Sequence, residues 1–356
     1  METNHVPMER PKWTLAGVAK RLVESMDISV IVCTRNPRDD YMRRVLDALN
    51  AQTLPKNNWE LLVVDNASNE RLVDSLRLSW HPRARHIRED NLGLTAARLR
   101  GITEAGGELL VFVDDDNVLA PDFLENARTL YTQRPGLGAF GAGTLEPEFE
   151  VRPPSEILPR IRLLALRTVS SARWTKNTQE FGTIPWGAGL CVIRSVANSY
   201  RRSVDNLDIT IPLDRRGDEL FSGGDDLFSW VAASVGFDFG IFPELRVTHL
   251  IAADRLSRAY FLRLIKDHTY SNFVRHYLFD GIQPQRLNWT RYLRLFLHGI
   301  RNGQFSMRCK WAALSGEDRA ARFILDKRLQ PRQIPGSTSP AKAKRRVQEA
   351  RSATKS

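Results

Sequence analysis

The sequence contains little cysteine and no long apolar run. Cys33, Cys191 and Cys309 are widely separated among its 356 residues, a spacing that favours reduced thiols over a disulfide framework or a zinc cluster. The longest uncharged stretch, residues 181–193, has only 13 residues, whereas a helix needs about 20 apolar residues to cross a bilayer. Residues 1–26 carry charges throughout and lack the apolar centre of a signal peptide. We therefore expect a cytoplasmic protein.

Acidic residues are outnumbered, because 41 Asp and Glu stand against 52 Lys and Arg and the net charge is +11. Residues 331–356 hold seven of the basic residues and one acid, interspersed with Pro, Ser and Gly, which predicts a disordered basic tail. Such a tail can lie on an anionic membrane surface, bind nucleic acid or only keep the protein soluble. With 42% hydrophobic residues, the chain is long enough for one large folded domain or two smaller ones.

Apolar runs of strand length alternate with helical patterns over residues 28–143. Three of the runs are almost continuously apolar, as in strands buried on both faces of an α/β sheet. The alternation predicts an α/β fold with a mostly parallel mixed sheet flanked by helices. The runs lie at 28–33, 60–64 and 108–113, and the helical patterns lie at 41–51, 96–105 and 121–133.

Carboxylates follow two of these predicted strands. Asp65 ends the second run, and Asp114, Asp115 and Asp116 end the third. The carboxyl ends of parallel strands border the ligand crevice of an open α/β sheet. Three adjacent carboxylates repel one another there unless a hard divalent cation shares their charge. We therefore predict a metal-binding ligand site, against the simpler interpretation of a solvated acidic turn.

The turn at Asn91 and Gly93 precedes the helix predicted at 96–105. Glycine allows a left-handed turn or a close approach of the backbone to a ligand. The first N–H groups of the helix can also face an anion. By itself this turn is a weak indication of a ligand site.

The second half of the chain has a different pattern. Residues 147–185 look irregular except for one helical stretch near 157–171, and a strand is predicted at 190–194. Asp225 and Asp226 open another helical pattern. Carboxylates at a helix N-terminus are stabilised by the helix dipole, so this pair is either a helix cap or a functional group.

Two short strand patterns, at 237–242 and 245–248, lead to His249. A single histidine is usually a packed or surface side chain, and this one is of interest only if it joins the carboxylates. Helical patterns follow at 257–277 and 288–301. The second has apolar residues on one face and arginines on another, so it either packs on the core or lies on an anionic bilayer.

Taken in order, these motifs resemble those of the family 2 glycosyltransferases, inverting enzymes with the GT-A fold. The resemblance covers about residues 27–275 and implies a Rossmann-like GT-A sheet with a C-terminal helical extension. The matching pieces are Thr34-Arg35-Asn36, Val64-Asp65-Asn66-Ala67-Ser68, Asn91-Leu92-Gly93 with Ala97-Arg98, Asp114-Asp115-Asp116, Trp186-Gly187-Ala188-Gly189, Gly224-Asp225-Asp226, and His249.

The resemblance implies a nucleotide-diphosphate sugar as donor, and we expect a uridine nucleotide. Asp116, with Asp114 and His249, would hold Mn²⁺ or Mg²⁺, which neutralises the leaving diphosphate. Arg98 would support the same charge or pair with a neighbouring acid. The residues expected at the nucleotide are Thr34, Arg35, Asn36, Asp65, Asn91, Gly93, Arg98, Asp114 and Asp115.

The resemblance also implies one general base, which takes the proton of the acceptor hydroxyl opposite the leaving group. The family usually has Glu-Asp where this chain has Asp225-Asp226. We therefore assign Asp226 as the base and Asp225 as a supporting acid, and leave the reverse assignment open. The residues expected at the donor and acceptor sugars are Trp186, Gly187, Ala188 and Gly189.

The expected partners are a nucleotide-sugar donor, a saccharide or lipid-linked acceptor and an anionic membrane surface. Binding to that surface would keep the protein on the inner face of the cell membrane, and no nucleic-acid partner is expected. The predicted regions are an N-terminal extension at 1–26, a catalytic domain at 27–254 with a nucleotide half at 27–143 and an acceptor half at 144–254, a helical region at 255–330 and the tail at 331–356.

Three other functions use similar pieces. Diguanylate cyclases have a Gly-Gly-Asp-Asp string like that at 223–226, but between two strands, whereas residues 227–235 look helical. Sugar nucleotidyltransferases share a related sheet but carry a glycine-rich phosphate loop after the first strand, and residues 34–37 contain no glycine. A non-catalytic protein that binds membrane or nucleic acid through residues 288–356 would have no need of the acids, which are all present.

Overall fold

The computed structural model describes residues 28–205, 224–291, 293, 303–327 and 329. The N-terminal extension and the basic tail predicted from the sequence lie outside these residues, as does most of the helix predicted at 288–301. The strands are β1 (Ile28–Thr34), β2 (Trp59–Asn66), β3 (Ala84–Glu89), β4 (Leu109–Asp114), β5 (Asn117–Leu119), β6 (Leu137–Phe149), β7 (Arg167–Thr168), β8 (Arg173–Thr175), β9 (Leu190–Ile193) and β10 (Asp238–Ile251). The α-helices are α1 (Asp39–Asn50), α2 (Leu72–Ser75), α3 (Leu94–Glu104), α4 (Phe123–Gln133), α5 (Arg194–Asp205), α6 (Gly224–Ser234), α7 (Arg258–Asp280) and α8 (Gln304–Asp326).

These strands form one mixed sheet with the order β3-β2-β1-β4-β9-β6-β10-β5, to which β7 and β8 add on β6 and β10. The pairs β1–β2, β1–β4, β2–β3 and β6–β10 are parallel and contain most of the paired residues. Strand β9 runs antiparallel between β4 and β6. The predicted fold class, a mostly parallel mixed sheet flanked by helices with a C-terminal helical extension, is confirmed.

The parallel strands β1, β2 and β4 end together at one edge of the sheet. Their side chains are almost all buried, as expected for apolar strands covered on both faces. In the register of the sheet Thr34 lies opposite Asp65, and Cys33 lies opposite Asp114. The acids that the sequence places at strand ends therefore reach the same edge.

Strand β10 differs from the prediction of two short strands at 237–242 and 245–248. It is one strand of 14 residues that pairs with β6, with an irregularity between Phe242 and Arg246. Pro243 lies in that gap. Proline has no N–H to donate to the ladder, so it interrupts the pairing without ending the strand.

The helical stretch predicted near 157–171 is shorter than expected. Only Leu158–Leu164 is helical, as a 3-10 helix, and Ala165 follows it with a left-handed φ of 58°. The chain then enters the short strand β7, because its residues pair with β6. Strand pairing outweighs the local helical pattern here.

Helix α6 is anchored to the middle of the sheet by aromatic rings. The ring of Phe228 stacks on Tyr200 of α5 with centroids 3.7 Å apart, and it lies 5.5 Å from the ring of Phe112. All three side chains are almost fully buried, and aromatic pairs of this kind dominate core energetics. Because Phe112 is two residues before Asp114, the start of α6 lies beside the acidic end of β4.

Helices α7 and α8 pack against each other and form the C-terminal extension. Their close approach requires glycine at position 316, because a Cβ atom there would overlap the carbonyl oxygen of Lys266. Helix α8 lies within the helical region predicted at 255–330, although no separate helical pattern was assigned to it. No helix among the described residues is long and apolar enough to cross a membrane.

Candidate active site

A cavity of about 1840 Å³ opens at the ends of β1, β2 and β4. It continues past the start of α6 to one face of α7 and one face of α8. Pockets for one small ligand typically have volumes of roughly 300–1,000 Å³. This cavity is therefore large enough for two substrates side by side.

Most of the site residues predicted from the sequence line this cavity, but Asn36, Asp65 and Gly189 do not. The acids at the end of β4 and the acids at the start of α6 share it, although they are about 110 positions apart in the chain. The predicted residues that line it are Thr34, Arg35, Asn91, Gly93, Arg98, Asp114, Asp115, Asp116, Trp186, Gly187, Ala188, Asp225, Asp226 and His249.

Asp65 is buried and already has partners. Arg88 donates to its Oδ2 over 2.7 Å, and the backbone N–H of Ser68 donates to its Oδ1 over 2.9 Å. Burial opposes the charged form, but the hydrogen bonds from Ser68 and Arg88 outweigh it and lower the pKa of Asp65. A nucleotide base that binds Asp65 has to compete with Arg88, and the neighbouring Asn66 is the residue that lines the cavity.

Two asparagines hold the loops at this end of the cavity. The amide of Asn66 donates to the carbonyl oxygen of Asn91 over 2.6 Å, and its Oδ1 accepts from the N–H of Gly93 over 2.8 Å. Gly93 has a φ of 135°, which favours glycine. Asn36 has a φ of 49°, and its Oδ1 accepts from the N–H of Asn69 over 2.9 Å. Asn36 thus positions a loop and lies outside the cavity wall.

The three consecutive acids have different surroundings. The hydroxyl of Thr34 donates a short hydrogen bond to Asp115. Burial, followed by the neighbouring charge of Asp116, raises the pKa of Asp115 to about 7. The amide of Asn117 donates to Asp114 Oδ2 over 3.2 Å and to Asp116 Oδ1 over 2.8 Å. Asp114 and Asp116 therefore converge on one amide, while Asp115 is held by the end of β1.

The pairing of β5 with β10 brings His249 to the acids. His249 lies opposite Asn117 in this antiparallel pair, and its Nε2 is 3.3 Å from Asp116 Oδ2. Arg255, in the 3-10 helix that follows β10, donates from Nη1 to Asp116 Oδ2 over 2.8 Å and to His249 Nε2 over 3.0 Å. A guanidinium therefore supplies positive charge between the groups that the sequence assigns to a metal.

The side chains fit a divalent cation in kind and number. Mn²⁺ and Mg²⁺ at a nucleotide usually take one or two carboxylates, and phosphate oxygens and water fill their other positions. Asp114 and Asp116 provide two carboxylates and His249 provides one imidazole. Within the described ranges no three His, Cys, Asp or Glu side chains form a ready-made cage. Arg255 has to release Asp116 and His249 before a cation can use them.

Asp225 uses both carboxylate oxygens to hold the start of α6. Oδ1 pairs with Arg98, and Oδ2 accepts from the backbone N–H of Gly187 over 2.9 Å. Arg98 is only 2% exposed, so the carboxylate compensates a buried charge. A Cβ atom at Gly187 would crowd both Arg98 and Asp225. Close packing against Arg98 and Asp225 is therefore enough to explain the glycine at position 187, with no need for a bound sugar. Asp225 is the acid that pairs with Arg98.

Asp226 pairs with Arg275 of α7. Burial raises the pKa of Asp226 above its usual range, and the charge of Arg275 acts in the opposite direction. A raised pKa suits a carboxylate that has to accept a proton. Arg167 also favours the charged form of Asp226, although burial lowers the pKa of Arg167 itself to about 9.

Trp186 lines the cavity with one face already covered. The guanidinium carbon of Arg167 lies 3.2 Å from its ring centroid, in a cation–π contact. Only the other face of the indole is open to a sugar. Gly189 has a φ of 70°, and a Cβ atom there would overlap Phe123. Its role is therefore a turn and a close contact inside the fold.

Among the cavity residues absent from the set predicted from the sequence, five are polar residues that contact the predicted ones. They are Asn66, Asn117, Arg167, Arg255 and Arg275. The two asparagines stand next to predicted acids, so the local sequence already pointed to them. The three arginines belong to segments without a motif, and only the packing of β7, α7 and the end of β10 brings them to the cavity.

Residues 29–173 match the family model described as Glycosyl transferase family 2. The resemblance drawn from the sequence motifs is thereby confirmed for this segment, which is a family 2 glycosyltransferase domain. The segment contains β1 to β4 with their terminal acids. It ends before Asp225 and Asp226.

Individual relatives are similar over parts of the chain. The glucosyl-dolichyl phosphate glucuronosyltransferase of Haloferax volcanii is 27% identical over 139 residues, 36% of this chain and 41% of that protein. Glycosyltransferase GlyA of Streptococcus pneumoniae serotype 4 is 33% identical over 106 residues, 29% of this chain and 14% of that protein. The chain thus spans less than half the length of these relatives. Among solved structures, the mannosyltransferase PcManGT from Pyrobaculum calidifontis in complex with GDP-Man and Mn²⁺ is 19% identical, with 94% of this chain and 86% of that chain covered and a TM-score of 0.46.

Proposed function

We propose that this chain is an inverting glycosyltransferase. It moves a sugar from a uridine-diphosphate sugar to a hydroxyl of a saccharide or lipid-linked acceptor by metal-assisted direct displacement. The observation that carries the proposal is that the acids at the end of β4 and the Asp225–Asp226 pair line one cavity. Residues 27–143 bind the donor in this proposal, and residues 144–254 face the acceptor.

The donor nucleotide lies along the ends of β1, β2 and β4 in this proposal. Arg35 at the cavity wall is exposed and forms no ion pair with the described part of the chain, so its charge is available to a phosphate. A cation bound to Asp114, Asp116 and His249 supplies charge neutralisation for the diphosphate leaving group. Because Arg255 contacts the same oxygen and nitrogen, the guanidinium and the cation compete for this position.

Asp226 is the proposed base. The oxygens of Asp225 are held by Arg98 and Gly187, whereas Asp226 combines a raised pKa with a position in the cavity wall. Asp226 takes the proton of the acceptor hydroxyl while that oxygen attacks the anomeric carbon opposite the diphosphate. The configuration at the anomeric carbon is therefore inverted.

A donor screen tests the reaction. The full chain is incubated with individual nucleotide sugars and Mn²⁺, and release of the nucleotide is measured. Isothermal titration with UDP, with and without Mn²⁺, tests donor binding separately. Absence of metal-dependent nucleotide binding would favour a non-catalytic binding protein, and a product with retained anomeric configuration, read by NMR, would contradict direct displacement.

We also propose that the acceptor side works at an anionic membrane surface. The support is the amphipathic pattern at 288–301, in which Trp289 and Leu293 are 74% and 47% exposed. Residues four apart on a helix share one face, so these two side chains present an apolar surface to solvent. Flotation with anionic liposomes tests this proposal. If the protein does not float with the liposomes at any salt concentration, membrane binding has to be abandoned.

A further inference from the structure

The far end of the cavity has a composition of its own, and we name it the α7–α8 lobe. All five carboxylates that line the cavity lie elsewhere, at the end of β4 and the start of α6. The lobe lies between the 3-10 helix Leu158–Leu164, α7 and α8. It is lined by Arg160, Leu163, Ile265, Cys309, Lys310 and Ala313.

The two cations of the lobe have no carboxylate partner in the described part of the chain. Arg160 donates to the hydroxyl of Ser306 over 3.4 Å, and Lys310 lies one helical turn further along α8. Two positive charges beside an apolar wall attract an anion, and the half-buried Arg160 is screened by solvent less than the exposed Lys310 is. Three arginines elsewhere in the cavity, Arg98, Arg255 and Arg275, are by contrast paired with acids.

Apolar side chains stand next to these cations. Ile265 and Cys309 are 8% and 3% exposed and belong to one hydrophobic cluster, on which Leu163 and Ala313 pack. Cys309 and Ala313 are four residues apart on α8 and share the face that carries Lys310. The wall of the lobe therefore joins a cationic part to an apolar part.

One face of α7 connects the lobe to the proposed base. His268 and Asn272 line the cavity between Ile265 and Arg275, and their side chains are hydrogen-bonded over 2.9 Å. Arg275 pairs with Asp226. Ten residues of helix span roughly 15 Å at 1.5 Å per residue. The face of α7 between Ile265, at the lobe, and Arg275, the partner of Asp226, therefore has about that length and carries polar side chains.

We propose that the α7–α8 lobe binds the phosphate of the acceptor together with the first carbons of an apolar chain attached to it. The acceptor is then a saccharide carried on a lipid phosphate, with its reacting hydroxyl at Asp226 and its phosphate at Arg160 and Lys310. The position of the hydroxyl rests on the proposed function. Arginine and lysine are the usual donors to phosphate, and each methylene buried against the apolar wall adds about fourfold in affinity.

Isothermal titration of the full chain, saturated with UDP and Mn²⁺ to fill the donor side, tests the lobe. The ligands are butyl, hexyl and octyl phosphate, with inorganic phosphate and octanol for comparison. We expect affinity to rise by up to about 16-fold with each added pair of carbons, and octyl phosphate to bind at least about tenfold more tightly than inorganic phosphate or octanol. Equal affinity for inorganic and octyl phosphate would remove the lipid from the proposal, and no binding of octyl phosphate would overturn it.

Two double variants locate the site. Arg160→Ala/Lys310→Ala should weaken the binding of octyl phosphate by about tenfold or more. Arg308→Ala/Lys327→Ala removes the same charge from residues that do not line the cavity, and it should leave binding unchanged. Equal losses of octyl phosphate affinity in the two double variants would overturn the proposal. If Arg160→Ala/Lys310→Ala fails to fold, the single variants Arg160→Gln and Lys310→Gln repeat the test. If the unaltered protein binds octyl phosphate but does not bind UDP, the result counts against the proposed function and not against the lobe.

Discussion

The two ends of the cavity carry opposite charge. At the end of β4, Asp114, Asp115 and Asp116 face the cavity, and Arg255 is the cation that meets them. In the α7–α8 lobe the cations face the cavity, and none of the acids in the described ranges lines that end. One end therefore needs a cation and the other needs an anion. Such a gradient can sort two charged substrates within a single cavity.

The two sets of acids also differ in how they are held. Asp114 and Asp116 sit at the end of a buried strand and share the amide of Asn117, one to three residues away. Asp225 and Asp226 depend on partners far away in the chain, since Arg98 is 127 positions from Asp225 and Arg275 is 49 positions from Asp226. The position of Asp114 and Asp116 is therefore set by the local strand and turn. The position of Asp225 and Asp226 depends on contacts that form only when distant elements pack together.

Loss of the proposed base should have the largest effect. Asp226→Asn is expected to lower kcat by about 10²- to 10⁴-fold, the usual contribution of a general base, with the Kd for UDP nearly unchanged. Nucleotide release and isothermal titration measure the two quantities. The matched variant is Asp225→Asn, and a larger loss of kcat there would exchange the two roles.

The acidic end is tested by Asp116→Ala. Removing this carboxylate should weaken Mn²⁺-dependent binding of UDP by about 10- to 100-fold, as for other losses around a metal site. Titration with and without Mn²⁺ measures the change. Glu244→Ala removes an exposed acid of β10 outside the cavity and should change nothing. Tight metal-dependent binding by Asp116→Ala would contradict the assignment.

The pairing of Asp226 with α7 predicts a pH effect. Arg275 favours the ionised form of Asp226 and so lowers its pKa, while burial and Asp225 raise it and Arg167 lowers it. Arg275→Gln should therefore raise the pKa of Asp226 further and move the acidic limb of the kcat profile to higher pH. Arg275→Lys keeps the charge and should move it less. Profiles of kcat against pH that coincide for the unaltered protein and Arg275→Gln would exclude Asp226 as the base.

The smallest expected effect concerns Arg255. If the guanidinium and the cation compete for Asp116 and His249, Arg255→Ala should bind Mn²⁺ more tightly in the absence of nucleotide, by up to about fivefold. Titration with Mn²⁺ alone measures this. Arg263→Ala, on a neighbouring helix and outside the cavity lining, is the comparison. An unchanged or weaker affinity for Mn²⁺ in Arg255→Ala would place the cation away from Asp116.

Much of the acidic end was predictable because its signals are local. The apolar run before Asp114 specifies a buried strand, and a parallel strand delivers its last residues to the ligand edge. Local patterns failed at β10, where Pro243 looked like the end of a strand, and at residues 157–171, where pairing with β6 overrode a helical pattern. Helix α8 falls within the helical region predicted at 255–330, but its place in the wall of the cavity was not predicted.

The sequence alone determined the alternation of strands and helices over residues 28–143, the acids at the strand ends and the likeness to family 2 glycosyltransferases, because each of these depends on neighbours a few residues away. The tertiary structure decided which charges meet. It brought Arg255 to Asp116, Arg98 to Asp225 and Arg275 to Asp226. Among the residues that the structure describes, it also left the cations of the α7–α8 lobe without an acid, because the partner of a charge depends on where distant elements pack, and no local pattern records that.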